Sequence, residues 1–420
     1  MSEQDTTSRT SPVGRRTFLR AATAAGGAVV ISGAAGAPWA SGATLNAHRV
    51  YVLVIDGCRP DEITKASTPN LHALRAGGRW YPNARSMPIA ETIPNHVMMM
   101  TGVRPDRSGV PANSIYDPAL KDVRTCGEPT DIVFPTVLER LKSKGITTGT
   151  VLSKDYLFSV FGTRATYRWE PFPLLPVTNH ALDVFTMNAL RTMIKTSDPN
   201  LVFANFGDID RFGHSDLTGG SLQVLRRTAL ASTDAQIGQF VKFLKDRGTW
   251  QRSTIVVLAD HSMDWSNPDD LISLTKSFAG TSIEGKFAIA DNGGADVLTY
   301  VGAASGKTAA MAEARKLALA TKGVLEVRTT AELRLGQKAG DLVVYCKSGY
   351  RFSDPDFYSN PIPGNHGHPA TEMIPFFIAG GAVKPAVLSQ RAATIDVAPT
   401  IGKIFGLTAP SGGYDGAARI

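Results

Sequence analysis

Short, continuous apolar runs are the feature that most restricts how this 420-residue chain can fold. The run at 49–55 reads RVYVLVI and lacks the alternation of a half-exposed strand. Such runs are typical of strands that are buried on both faces of a sheet. Similar runs occur at 147–152, 201–206, 254–259 and 374–379.

Helical patterns separate the strand-like runs. They lie at 68–76, 94–101, 136–144, 222–245 and 396–405. This alternation predicts an α/β fold in which helices sandwich a mostly parallel sheet. In sheets of this kind, ligands bind beyond the carboxyl ends of the strands.

One segment interrupts the alternation. Two strand-like runs, at 297–301 and 342–346, flank a helical pattern at 307–322. We therefore predict a small inserted α+β cap subdomain at 281–349. The catalytic α/β domain would then consist of residues 44–280 and 350–420.

The N-terminal segment has the pattern of an export signal. Arg15 and Arg16 precede a Gly- and Ala-rich apolar stretch at 21–37, and small residues follow at 40–43. This resembles a twin-arginine signal peptide, which we place at 1–43. A transmembrane anchor is the alternative, but the stretch has few large apolar side chains and is a poor bilayer span. We expect the twin-arginine translocation machinery to export the protein to the cell envelope, the periplasm or the exterior, with no stable membrane span in the mature protein.

Composition restricts the class of protein further. Hydrophobic residues make up 43% and charged residues 19%, as in soluble globular proteins. The formal net charge of +7 is not concentrated in a long basic run, which favours anionic substrates slightly and indicates no nucleic-acid-binding domain. Cys58, Cys126 and Cys346 form no CxxC pair, which argues against a zinc–thiolate site and leaves one disulfide open.

Acidic and histidine residues follow the strand-like runs, and one further histidine precedes the last run. Singly, each is explained by a turn or by a surface histidine. Because the sheet would gather them at one edge, three carboxylates and three imidazoles together predict two zinc ions. The six residues are Asp56, Asp210, His214, Asp260, His261 and His366.

Thr92 stands at the start of a predicted helix, in the sequence IAETIPNH. Backbone N–H groups and the helix dipole favour an anion at that position. A bound metal can lower the pKa of a hydroxyl enough to make it a nucleophile. We predict that Thr92 is the nucleophile; the alternative is that it only caps the helix.

Five segments occur in an order that resembles the alkaline phosphatase superfamily. They are VIDGCRPD, ETIPNHVMMMTGVRPDRSGVPANSIYD, DIDRFGH, LADHSM and NPIPGNHGHP. The most similar branch is the type I phosphodiesterase/nucleotide pyrophosphatase family, with phosphonoacetate hydrolases nearby. The resemblance implies an alkaline phosphatase-like fold and a small-molecule phosphate ester as substrate. It also implies two-zinc hydrolysis of phosphate diesters or nucleotide pyrophosphates through a phosphothreonine intermediate.

The resemblance also implies a role for individual residues. One zinc ion would be held by Asp210, His214 and His366. The other would be held by Asp56, Asp260, His261 and Thr92. Asn113 matches the asparagine that hydrogen-bonds a nonbridging phosphoryl oxygen, and Asp234 matches a structural aspartate.

Two positions depart from the family pattern. Ser262 replaces a frequent glycine beside His261. Lys154 matches one of two lysines that phosphonoacetate hydrolases supply to the substrate, whereas Tyr156 stands at the second position. Lys154 is therefore either a catalytic residue or a solvated surface lysine.

Several alternatives stay open. We expect His48, His72 and His180 at the surface and His96 in support of the site, and His368 is the rival of His366. A phosphomonoesterase or a phosphonate hydrolase is the alternative activity. From another class of protein, a catalytically inactive, metal-binding secreted protein also fits.

Overall fold

The computed structural model of the chain describes residues 29–31, 48–176, 178–354 and 362–420. Arg15, Arg16 and most of the predicted signal peptide lie outside the described residues. The described part of that segment, Val29–Ile31, pairs antiparallel with Tyr167–Trp169 at an edge of the main sheet. Within the described ranges, we find no helix long and apolar enough to cross a membrane.

The main sheet has nine strands in the described part of the chain. Its middle consists of five parallel neighbours, in the spatial order Tyr167–Trp169, Thr148–Leu152, Leu201–Phe206, Arg49–Ile55 and Ser253–Leu258. Beyond them lie Phe376–Gly380, Arg79–Trp80 and Ala386–Val387. The predicted α/β fold with a mostly parallel sheet is confirmed. The strand predicted at 374–379 is found at Phe376–Gly380 and is antiparallel to its neighbour Ser253–Leu258.

Helices flank the sheet in two groups that pack among themselves. The first group comprises Pro69–Ala76, Asp183–Thr196, Asp208–Ser215 and Val224–Asp246. The second comprises Thr92–Thr101, Pro105–Ser108, Val137–Lys142 and Val397–Ile404. Three further short helices lie outside these two groups: Asp155–Phe161, Gly219–Leu222 and Leu274–Phe278.

Between the strands Ser253–Leu258 and Phe376–Gly380, the chain forms a second, antiparallel sheet. Its four strands, in spatial order, are Phe287–Asn292, Ala295–Tyr300, Leu342–Cys346 and Val324–Thr329, and the helix Lys307–Ala320 accompanies them. The strand-like runs at 297–301 and 342–346 and the helical pattern between them correspond to Ala295–Tyr300, Leu342–Cys346 and Lys307–Ala320. The two additional strands, Phe287–Asn292 and Val324–Thr329, mix buried with partly exposed residues and so do not read as continuous apolar runs.

The second sheet touches the segments that carry predicted site residues. The amide of Asn292 exchanges two hydrogen bonds with the backbone of Ser114, which follows Asn113. The N–H of Gly294 donates to the carbonyl of His366 at 2.6 Å. A Cβ at Gly294 would lie 2.1 Å from His368 Nδ1, so only glycine permits this close approach.

Buried polar residues tie the fold together away from the site. Asp234, predicted to be structural, accepts hydrogen bonds from the backbone N–H groups of Asn70 and Leu71, at the start of the helix Pro69–Ala76.

The three cysteines are free, buried thiols, so the disulfide that the sequence left open is not formed.

Candidate active site

The predicted carboxylates meet because neighbouring parallel strands end at the same level. Ile55 pairs with Phe206, so the two parallel strands end at the same edge of the sheet. Asp56 follows the first of these strands, and Asp210 lies on the helix Asp208–Ser215 that follows the second. Ligand atoms of Asp56, Asp210 and His261 lie within 4.8 Å of one another.

Three predicted ligands form one compact group. Asp210 and His214 are four residues apart on the same helix, so they lie on one face of it. His214 Nε2 lies 3.3 Å from Asp210 Oδ1 and 3.0 Å from His366 Nε2, and His366 Nε2 lies 3.8 Å from Asp210 Oδ1. Ligand atoms around a tetrahedral zinc ion are about 3.3–3.4 Å apart, because each is 2.0–2.1 Å from the metal. The spacing of this group matches that value.

The second predicted group surrounds His261. Its Nε2 lies 3.4 Å from Asp260 Oδ2, 3.7 Å from Asp56 Oδ1 and 3.2 Å from Thr92 Oγ1. All four residues are buried. The hydroxyl of Thr92 is therefore at the same distance from His261 as a fellow metal ligand would be.

Carboxylate oxygens in the site divide into bound and unbound atoms. Asp56 Oδ2 contacts Lys154 Nζ at 2.8 Å and accepts a hydrogen bond from Asn205 at 2.7 Å. Asp210 Oδ2 contacts the same ammonium at 2.7 Å. Asp260 Oδ1 accepts from two backbone N–H groups. The remaining oxygens are buried and have no hydrogen-bond partner among the described residues: Asp56 Oδ1, Asp210 Oδ1 and Asp260 Oδ2.

The three histidines that were predicted to be metal ligands, His214, His261 and His366, share one tautomer. In each, Nδ1 lies 2.8–3.1 Å from a backbone carbonyl, which only accepts hydrogen bonds, so Nδ1 carries the proton. Their Nε2 atoms are then lone-pair donors, and those of His214 and His366 face each other at 3.0 Å. Facing lone pairs and unpaired buried oxygens are unfavourable unless a cation lies among them. The donor set therefore fits metal ions.

Lys154 is fully buried, which excludes the alternative that it is a solvated surface lysine. Burial alone would lower the pKa of Lys154, but the carboxylates of Asp210 and Asp56 outweigh burial and raise it. Burial and the nearby charge of Asp260 raise the pKa of Asp56. Three buried carboxylates, those of Asp56, Asp210 and Asp260, exceed the two cations beside them, Lys154 and Arg211, whose Nε lies 4.0 Å from Asp210 Oδ2. This excess of negative charge again favours bound cations.

Thr92 is the first residue of the helix Thr92–Thr101, and Glu91 is its N-cap. The Thr92 hydroxyl contacts His261 Nε2 and Lys154 Nζ, at 3.2 and 3.3 Å, both within the site. Asn95 holds the segment before the helix, because its amide donates to the carbonyls of Ile89 and Glu91. The position of Thr92 is therefore fixed by the helix start rather than by a capping bond of its own side chain.

Asn113 lies beside the start of the same helix. Its Oδ1 accepts a hydrogen bond from the N–H of Ile93 at 2.8 Å, and its Nδ2 donates to Glu91 Oε2. Asn113 and Thr92 both line an open cavity of about 350 Å³, together with Tyr156, Arg211 and Arg351. The predicted phosphoryl contact and the predicted nucleophile thus face the same space.

The structure places His368, His96 and His180 outside the two groups of predicted metal ligands. His368 Nε2 lies 3.0 Å from Asp264 Oδ2, outside the ligand groups, which leaves His366 in the cluster. His96 is buried, with Nδ1 2.8 Å from the Thr92 carbonyl and Nε2 3.0 Å from the Asn205 amide. It therefore contacts two residues of the site, as predicted for a supporting residue. The prediction that His180 lies at the surface was wrong, because it is buried against Asp208.

Sequence reasoning missed several residues that hold the site. Asn205 contacts Asp56, His96 and Ser153 from within a strand, where it is only one polar residue in an apolar run. Glu91 stands next to Thr92, which was the available signal for a role. Ser262, which stands where the family often has glycine, is accommodated: its hydroxyl donates to the Met373 carbonyl, and its own carbonyl accepts a hydrogen bond from His261 Nδ1.

Comparison with known sequences identifies the family of the chain. The sequence model for "Type I phosphodiesterase / nucleotide pyrophosphatase" matches residues 50–368. The chain belongs to this family. The family lies in the alkaline phosphatase superfamily, so the resemblance seen in the sequence is confirmed.

Curated members of the phosphodiesterase family resemble part of the chain. The bis(5'-adenosyl)-triphosphatase enpp4 of Xenopus laevis is 24% identical over 235 residues, which is 54% of this chain and 49% of the relative. Human ENPP4 is 24% identical over 241 residues, with 54% and 50% covered. The chain spans about half the length of the curated relatives it matches.

Solved structures share the fold. Murine ENPP5, in an inactive form bound to AMP, has a TM-score of 0.70 at 18% identity, and the match covers 86% of this chain and 96% of that one. Phosphonoacetate hydrolase from Sinorhizobium meliloti 1021, with phosphonoformate, has a TM-score of 0.65 at 17% identity, with 84% and 94% covered. At these identities the likeness establishes the alkaline phosphatase-like fold alone.

Proposed function

We propose that this chain hydrolyses phosphate diesters or nucleotide pyrophosphates, with Thr92 as the covalent nucleophile. The observation that carries the proposal is the set of potential metal-binding atoms around the Thr92 hydroxyl. Three unpaired carboxylate oxygens and three imidazole lone pairs converge beside it in a buried site that opens into a cavity. A sequence of this family with an intact set of donors is better explained as an enzyme than as an inactive binding protein.

The donor set fits two zinc ions. Asp210, His214 and His366 would hold one ion. Asp56, Asp260, His261 and Thr92 would hold the other. When bound, the ions supply positive charge that acidifies the Thr92 hydroxyl and stabilises the leaving oxygen.

The residues of the chain would then act in sequence. Thr92 Oγ1 loses its proton and attacks phosphorus, and the bond between phosphorus and the leaving oxygen breaks. A phosphothreonine diester forms, and the leaving group departs, taking up a proton if it is an alkoxide. Asn113 Nδ2 and the N-terminus of the helix Thr92–Thr101 stabilise the charge on the phosphoryl oxygens. Water attacks phosphorus in the second step and releases the threonine. Lys154 neutralises part of the charge on Asp56 and Asp210 throughout.

We expect the enzyme to prefer diesters. A diester carries one negative charge, a monoester carries two near neutral pH, and Tyr156 replaces the second lysine that would favour the additional charge. The kcat/KM for bis-p-nitrophenyl phosphate should exceed that for p-nitrophenyl phosphate by at least about tenfold. Absence of turnover of either ester by zinc-loaded protein would favour the inactive metal-binding protein.

A phosphonate hydrolase or phosphomonoesterase is the second candidate. The observation that favours it is the buried ammonium of Lys154, 3.3 Å from Thr92 Oγ1. The shared fold of phosphonoacetate hydrolase is compatible with it. A clear preference for p-nitrophenyl phosphate or phosphonoacetate in the same assay would replace the first proposal by this one.

Export is a separate proposal. Arg15 and Arg16, followed by the Gly- and Ala-rich stretch at 21–37, support transport of the folded protein by the twin-arginine route. Replacing both arginines by lysine should leave the precursor in the cytoplasm, as cell fractionation and immunoblotting would show. Normal export of the double variant would mean that the arginine pair is incidental.

A further inference from the structure

Glu91 precedes the proposed nucleophile, and its carboxylate reaches two sides of the site. The side chain is 5% exposed and makes no hydrogen bond to the start of its own helix. Its Oε1 lies 2.8 Å from His366 Nδ1, and its Oε2 accepts a hydrogen bond from Asn113 Nδ2. A buried carboxylate therefore contacts both a proposed metal ligand and the proposed phosphoryl contact.

The contact with Asn113 determines how that amide is presented. Asn113 Oδ1 is held by the N–H of Ile93, so the amide cannot flip without losing that bond. One N–H of Nδ2 is used by Glu91, and the other is available to a substrate oxygen. An oxygen bound there would lie about 5 Å from the Glu91 carboxylate, as follows from two hydrogen-bond lengths at a trigonal nitrogen.

We propose that Glu91 determines the substrate class by its charge. It orients Asn113 toward the phosphoryl group and places a negative charge beside that group. A phosphoryl group with two negative charges is repelled more than one with a single charge. Glu91 thus selects diesters over monoesters and phosphonates. This inference rests on the proposed function of the site.

Glu91→Gln tests the charge at nearly constant size. Glutamine can still accept the hydrogen bond from Asn113, and the proton of His366 Nδ1 keeps the Ala90 carbonyl as an acceptor at 3.1 Å. Because the glutamine NH2 then faces the His366 N–H, where Glu91 Oε1 lies at 2.8 Å, zinc content is measured alongside the rates. The ratio of kcat/KM for bis-p-nitrophenyl phosphate to that for p-nitrophenyl phosphate should fall about tenfold. Glu91→Asp, which keeps the charge, should change the ratio much less even if both rates fall.

A purely structural role for Glu91 would lower both rates together. An unchanged ratio in Glu91→Gln, with parent-like zinc content by elemental analysis, would overturn the inference and leave the proposed function standing. Glu372→Gln is the control, because the Glu372 side chain is 27% exposed and pairs with Arg85 instead of a residue of the site. Its ratio should match the parent.

A second readout requires no turnover. In a Thr92→Ala background at pH 8, inorganic phosphate is a dianion and its binding can be measured by calorimetry. Adding Glu91→Gln should tighten phosphate binding about tenfold at equal zinc content. Unchanged or weaker binding would contradict the role of the charge. Because this measurement does not depend on activity, it also tests Glu91 if the parent hydrolyses neither ester.

Discussion

Replacing Thr92 by alanine is expected to lower kcat for a phosphodiester by at least about 10³-fold, with little change in melting temperature. The hydroxyl is the atom that would form the bond to phosphorus. Its contacts, His261 Nε2 and Lys154 Nζ, belong to the site. A capping role would predict the opposite pattern, with a loss of about 0.5–2 kcal/mol in stability and nearly normal chemistry.

Two variants serve as comparisons for this experiment. Thr92→Ser keeps a hydroxyl and should retain partial activity. Thr101→Ala alters the other end of the same helix, where the buried Thr101 hydroxyl donates to the Val97 carbonyl, and should stay within a few-fold of the parent. After rapid quenching, mass spectrometry should find the phosphoryl group on the Thr92 peptide. Turnover by Thr92→Ala within a few-fold of the parent would instead favour direct attack by water.

Replacing Lys154 by methionine should destabilise the metal-free protein by about 3–5 kcal/mol, because it leaves two buried carboxylates without their cation. Lys154 Nζ lies 2.8 Å from Asp56 Oδ2 and 2.7 Å from Asp210 Oδ2. Denaturant unfolding after chelation measures the loss. The difference from the parent should shrink when zinc is added, since bound cations neutralise the same carboxylates.

An exposed lysine provides the control. Lys242 pairs with Asp246 at the surface, where the two side chains are 75% and 61% exposed, so Lys242→Met should change stability little. Equal stability of Lys154→Met and the parent, both without metal, would show that the Lys154 ion pairs do not hold the site together.

The convergence of the site could be predicted from the sequence because it depends on strand ends. The run Leu201–Phe206 was predicted with the bounds that the structure shows, and Asp210 follows it by a few residues. The order of neighbouring parallel strands then brings Asp56 and Asp260 to the same edge. This inference needs only an apolar run, its end and the rule for ligand position in such sheets.

Other features depend on tertiary contacts that a linear pattern does not encode. A lysine usually lies at the surface, and only the packing of separate strands buries Lys154 between Asp56 and Asp210. The direction of Phe376–Gly380 was also beyond the sequence, because an apolar run has the same composition in either direction. The helix Asp183–Thr196 was not predicted, although its buried residues recur with helical spacing.

We propose that two zinc ions lie beside the Thr92 hydroxyl. Anomalous scattering at the zinc edge, from crystals of protein purified without chelator, tests it most directly. We predict two peaks per chain, one among Asp210, His214 and His366 and the other among Asp56, Asp260, His261 and Thr92. An active, folded protein without zinc at these two positions would show that the two-zinc site is wrong.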